Sequence, residues 1–301
     1  MIQSALRHTR TRLTARLLPA LLLVLLLVLL QGCTLVKLSY NQADTLLYWR
    51  LDSYADLTNE QAQRAKLSLT KFHDWHRRTQ LPVYADLLRD LRPQLAEPLS
   101  AEQACAVFDQ LRSALNTTLN PAHWTLLWLA DELSEEQLRH IERKQAMGDA
   151  EWKKEWVSVS PEQLLKARFE QALSRSEMLY GNLNEPQKAA LRAALLPTSF
   201  DPLRNYTERL RREQDLLQVL RKIREEKSSA EATRLLLKGY MERTLVSPNP
   251  SYRRYVETQI SEGCSTFARL HNATTPAQRA KAMRTVAGYE SDFRQLAGQP
   301  E

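Results

Sequence analysis

Apolar residues recur every three or four positions through most of this chain. Leu164, Leu165, Phe169 and Leu173 form one such set, and Leu210, Leu217, Leu220 and Ile223 another. That spacing places them on one side of an α-helix, whereas a strand would alternate apolar and polar residues. No convincing alternating run occurs. The pattern predicts an all-α fold, an irregular multi-helix bundle of about ten helices without a sheet. Helix starts are marked by a recurring signal: Thr58 with Gln61, Ser100 with Gln103, Ser134 with Gln137, Ser160 with Gln163, Asn184 with Gln187, and Thr275 with Gln278. In each, a side-chain oxygen takes an orphan N–H of the first turn and the glutamine amide reaches back, forming a capping box. Pro161 and Pro276 sit at first helical positions, where a missing N–H costs nothing. Further starts are expected at Asn120-Pro121, Asp201-Pro202, Ser228 and Asn249-Pro250. Pro82 is expected to split the pattern from Asn59 to Leu95 into two helices. The starts are unevenly spaced, so no solenoid repeat is indicated. The only candidate internal boundary is the 196–202 stretch, LPTSFDP.

A different pattern governs the first forty residues. Arg7, Arg10, Arg12 and Arg16 precede an apolar run from Leu17 to Leu30, broken only by Pro19. A basic start and a short apolar run form a secretory signal pattern. A helix spanning the bilayer needs about 20 apolar residues, and Gln31 and Gly32 end this run too early. Leu30-Gln31-Gly32-Cys33 resembles the lipobox of bacterial lipoproteins, although Gln31 departs from the small or branched residue usual there. The resemblance implies that residues 1–32 are cleaved and that Cys33 carries diacylglycerol and a further acyl chain such as palmitate. An ordinary signal with a coincidental cysteine is the competing account. Thr34 after the cysteine resembles an outer-membrane address, which implies a lipid anchor facing the periplasm. Residues 33–40 would then be a lipidated cysteine and short tether, and 41–301 the periplasmic domain. Extended, Thr34 to Tyr40 reach about 25 Å, which keeps that domain near its membrane.

Removing the signal changes the charge. The whole chain is formally +7, but from Cys33 onward 38 basic residues face 35 acidic ones. A periplasmic chain does not meet chromosomal DNA, and the arginines between Arg204 and Lys227 alternate with acids, so nucleic acid is not an expected partner. Seven glycines in 301 residues disfavour phosphate-cradling loops. With Cys33 committed to lipid, Cys105 and Cys264 remain. Cys105 lies on an apolar face continuing through Phe108, Leu111 and Leu115, and Cys264 lies between Ile260 and Phe267. An oxidising compartment favours a disulfide between them, joining an early helix to a late one.

Candidate sites are sparse. His73 and His76 share a helix face, but nothing nearby completes a metal set, and surface histidines are the simpler account. No nucleophile elbow or phosphate loop is present. No catalytic residue, metal or cofactor is therefore assigned. Trp124 with Trp128, and Trp152 with Trp156, form two pairs four residues apart, either lining a groove or packing in the core. Lys153, Lys154, Arg139, Arg143 and Lys144 make the same region basic. It is the candidate surface for anionic headgroups or an envelope partner.

Leu57-Thr58-Asn59-Glu60-Gln61 is similar to the Leu-Thr-x-x-Gln motif of the small periplasmic stress chaperones related to Spy and CpxP, with near misses at Leu99–Gln103 and Leu133–Gln137. The lipobox, LSYNQADTLLYWRLDSYADLT, WHRRTQLPVYADLL and the closing ARLHNATTPAQRAKAMRTVAGYESDFRQL together resemble an uncharacterised proteobacterial lipoprotein family of unknown function. That resemblance implies an envelope lipoprotein and supplies no active-site residues. The expected task is non-enzymatic binding, scaffolding or chaperone-like action near the membrane. An envelope hydrolase or its helper, acting on lipid or peptidoglycan, is the alternative.

Overall fold

The computed structural model describes residues 31–298. The basic start and leucine run of the expected signal lie outside the described residues, as does the Cys33 side chain. The chain divides after Ala43 into two units. In the first, α1 (Gln31–Asn41) makes the expected short tether helical, ahead of the first helix expected at Asn41. As helix, Thr34 to Tyr40 rise only about 10 Å.

The second unit begins with α2 (Ala43–Ala55) and α3 (Asn59–Leu91), followed by a 3₁₀ turn (Arg92–Ala96). Then come α4 (Ala101–Thr125), α5 (Leu127–Glu132) and α6 (Glu135–Trp152), which runs into a π turn (Lys153–Val157). The rest comprises α7 (Pro161–Tyr180), α8 (Glu185–Leu195), α9 (Pro202–Glu225), α10 (Ala230–Leu245), α11 (Pro250–Asn272) and α12 (Pro276–Ala297). Among the described residues there are twelve α-helices and no strand. None of these helices is long and apolar enough to cross a membrane.

All six capping boxes form, with both reciprocal hydrogen bonds in each. Asp201 and Asn249 cap α9 and α11 as expected, while α10 is capped by Ser229, one residue beyond the expected Ser228. Two proline expectations fail. Pro82 lies inside the unbroken α3, and Pro121 lies inside α4 instead of starting a helix. Each proline lacks the N–H that would reach back four residues, to Arg78 and Thr117, both exposed positions. Around Pro82, Leu81 and Ala85 are buried at 1% and 0% exposure, so a continuous packed face holds the helix together. Gly181 ends α7 with φ 78°, a left-handed conformation that side chains resist, and an added Cβ would press on Lys281.

Two apolar clusters hold the second unit. One joins Leu129, Leu138 and Ile141 to Leu217, Leu220 and Ile223, linking α5 and α6 to α9. The other joins Leu95, Leu99, Tyr180, Leu183, Leu191, Leu270 and Val286. Burying each of these large side chains contributes about 1.5–3 kcal/mol. The 196–202 stretch is the join between α8 and α9 within this unit.

Polar locks tie the clusters to the helix starts. Gln61 and Gln137, each from a capping box, also bond one another: the Gln137 amide donates to Gln61 Oε1 (2.7 Å) and to the Asp56 carbonyl (2.9 Å), and Gln61 donates to the Glu132 carbonyl (3.1 Å). Gln187 and Gln278 repeat the device, donating to each other and to the Ala273 and Asn182 carbonyls. In the second cluster His271 is fully buried. Its Nε2 donates to the Glu97 carbonyl and its Nδ1 accepts from the Tyr180 hydroxyl, both at 2.8 Å. Burial lowers the His271 pKa and raises that of Tyr180, so both stay neutral.

Candidate functional site

An open apolar cavity of about 620 Å³ lies between α4 and α11. Val107, Phe108 and Leu111 of α4 form one wall; Val256, Ile260, Gly263, Cys264 and Phe267 of α11 form the facing one. Leu95, Leu99, Leu179 and Val286 add to the apolar lining. Phe108 and Leu111 are 44% and 38% exposed, so the apolar face expected to be buried along α4 instead lines an open groove, and Leu115 beyond it is exposed too.

Cys105 and Cys264 are joined by a disulfide that ties α4 to α11, with their Cα atoms 5.3 Å apart. It uses up the sulfur on the cavity wall, so no thiol nucleophile is offered there. The polar lining side chains are likewise engaged. The Tyr255 hydroxyl accepts from Asp201 N (3.0 Å) and Asn205 Nδ2 (3.2 Å), and Asn205 Oδ1 accepts from the Tyr252 hydroxyl (3.1 Å). Gln259 donates to Ser199 and Glu262. The cavity thus presents hydrocarbon and satisfied polar groups, with no carboxylate in its lining.

Phe200 and Asn205 also line a second pocket of about 430 Å³, beside Trp152, Trp156, Arg168, Gln171 and Arg175. Trp152 stacks between Trp156 (centroids 6.4 Å apart) and Tyr206 (5.8 Å). The Arg168 guanidinium lies 4.6 Å from the Phe200 ring centre and donates to the Leu195 carbonyl and Thr198 hydroxyl. No carboxylate among the described residues pairs with it. Burial lowers its pKa, with the Glu262 charge acting the other way.

The surface expected from the four tryptophans divides. Trp152 and Trp156 line the second pocket, but Lys153 and Lys154 are exposed in the π turn and line neither cavity. Trp128 packs on the first apolar cluster, with the Arg64 guanidinium 4.2 Å from its ring centre, and Arg234 lies over Trp124. His73 is buried, and His76 packs against Phe72, Trp75 and Tyr84. Burial, with His73 adding to it, lowers the His76 pKa to about 4, so the ring is neutral at pH 7. The expected surface histidines are thus packing residues, because Phe72 and Tyr84 cover that helix face. No three metal-ligating side chains meet among the described residues.

One constellation escaped the sequence reading. Arg209 on α9 bonds both Asp149 on α6 (2.5 Å) and Glu213 (2.9 Å). Burial and the neighbouring Asp149 raise the Glu213 pKa to about 7. Paired carboxylates suggest acid–base chemistry, but of these three groups only Arg209 lines the adjoining polar cleft. Both carboxylates sit behind it and act as a clamp between α6 and α9. Spacing gave no hint of this pairing, since 64 positions separate Asp149 from Glu213.

Comparison with curated proteins and with solved structures finds no match to either. A family model matches from the end of α2 to α10, leaving out the lipobox-like start and the α11–α12 close, so the α11 wall of the cavity lies beyond the matched stretch. This chain belongs to the family of unknown function DUF6279, whose model matches residues 53–243.

Proposed function

We propose that this chain is a lipid-anchored protein of the bacterial envelope that works by binding an apolar ligand, without covalent chemistry. The observation that carries the binding reading is the lining of the α4–α11 cavity: hydrocarbon, hydrogen-bonded polar groups and an oxidised cysteine pair. A volume of about 620 Å³ falls in the range of small-molecule sites. The anchor reading rests on the basic start, the leucine run and Cys33. Leu46, Leu47 and Trp49, exposed on α2 shortly after Cys33, suit a membrane-proximal segment.

Two experiments test these claims. Cys33→Ala abolishes incorporation of radiolabelled palmitate; undiminished labelling, or an intact Met1 in the native protein, overturns the anchor. For the cavity, the neutral dye N-phenylnaphthylamine gains fluorescence on binding the purified full-length chain. Gly263→Phe fills open space, since an added Cβ meets nothing within 4 Å, and removes a helix-weakening glycine. Phe108→Asp sets a carboxylate into the half-exposed wall. Both variants keep their helical content and bind the dye at least tenfold more weakly. Unchanged affinity in both overturns the site.

A further inference from the structure

The binding reading leaves open what enters the cavity. Two pockets meet at Phe200 and Asn205, one hydrocarbon-lined and one carrying Arg168 and Arg175 beside two tryptophans. We propose that the occupant is an anionic amphiphile, its acyl chain in the α4–α11 cavity and its negatively charged head on Arg168. This rests on the cavity being a binding site.

Three observations carry it. First, the cavity suits a chain without polar atoms. An extended peptide would bury N–H and C=O groups with no partners, because Tyr255, Asn205 and Gln259 already spend their hydrogen bonds on neighbours. A peptide helix fares no better: it is about 10 Å across, so a turn takes roughly 400 Å³, and the cavity of about 620 Å³ admits little more than one. Second, charge complements such a head. Arg168 is half-buried and held by a carbonyl and a hydroxyl instead of a carboxylate, and Arg175 stands exposed at the rim of the same pocket. The acid whose charge acts on Arg168, Glu262, is engaged by the Ser199 N–H and by Gln259. Third, the parts are within reach. The guanidinium lies 4.6 Å from the centre of the Phe200 ring, which lines both pockets. Trp152 and Trp156 flank the place where a head would leave hydrocarbon for water, a position that indole rings favour.

The test displaces N-phenylnaphthylamine from the full-length chain with palmitate, with the uncharged alcohol of the same chain length, and with palmitoyl lysophosphatidylglycerol. All are used below their aggregation concentrations. Palmitate or the lysophospholipid competes about ten- to a hundredfold better than the alcohol, the fold-change expected of a charge-assisted hydrogen bond. The stronger of the two identifies the source as a free fatty acid or a phospholipid head. Arg168→Gln removes this preference and leaves the affinity for the alcohol unchanged; Arg168→Lys retains part of it. If the alcohol and both anions compete equally, or Arg168→Gln weakens all three alike, the head-group assignment is wrong while the apolar site stands. If the dye and the alcohol do not bind at all, the binding reading itself falls. Displacement by an uncharged apolar peptide but by neither anion also overturns the amphiphile.

Discussion

Replacing Cys105 and Cys264 together by alanine is expected to lower the stability of the fold by about 2–5 kcal/mol. The bridge closes a loop with a sequence separation of 159, near the upper end of what a single cross-link contributes by restricting the unfolded chain. The native contribution adds to this. The wall of α4 facing α11 is lined by half-exposed residues over an open cavity, so apolar packing along it is incomplete and the cross-link carries more of the attachment. Urea unfolding of the wild-type chain with and without reductant measures the effect as a shift in midpoint. The double-alanine variant serves as control, because reductant leaves it unchanged. A wild-type midpoint insensitive to a reductant that demonstrably frees both thiols removes the staple from the account.

Gln137→Ala is expected to cost about 3 kcal/mol, although the same change at Gln103 or Gln163 costs about 1 kcal/mol or less. All three glutamines close a capping box. Those at 103 and 163 are exposed and serve only their own helix start. Gln137 is buried and in addition holds the Asp56 carbonyl and Gln61 Oε1. Asp56 has φ 48°, an unfavourable left-handed conformation for a residue with a side chain, and its N–H and C=O are fixed by Asp52 and Gln137. Losing Gln137 therefore takes the donor from the Asp56 carbonyl, one of two donors from the buried Gln61 Oε1, and the acceptor from the Ser134 N–H, while Ser134 Oγ still caps the first turn. The double variant Gln61→Ala/Gln137→Ala loses less than the two single losses added together, since each partner is orphaned only once. Equal costs at 103, 137 and 163 in denaturant unfolding would show that the interlock contributes nothing beyond capping.

The same glutamines show how far the sequence could be read. Each box was legible because capping is local: donor, acceptor and orphan N–H lie within four residues, and the chemistry fixes their spacing. That Gln61 meets Gln137, and Gln187 meets Gln278, was not legible, because nothing local distinguishes these boxes from those at 100 and 160. The prolines failed for a related reason. Pro82 and Pro121 are helix breakers by local rule, but both sit within unbroken helices, and around Pro82 the buried Leu81 and Ala85 hold the turn by packing. The tryptophans illustrate the limit for sites. Trp128 and Trp156 stand in equivalent pairs in the sequence, and only the fold places one on an apolar cluster and the other in a pocket with Arg168.

By itself the sequence determined an all-helical chain, most of its helix starts and the cysteine pair, because these depend on side-chain period, on first-turn hydrogen bonding and on a count of thiols. Only the tertiary structure decided that α4 and α11 stand apart over an apolar cavity, that Phe200 joins it to an arginine pocket, and that Asp149 and Glu213 are locked behind Arg209. Those arrangements come from contacts between residues tens to more than a hundred positions apart, and no periodicity along the chain encodes which distant faces meet.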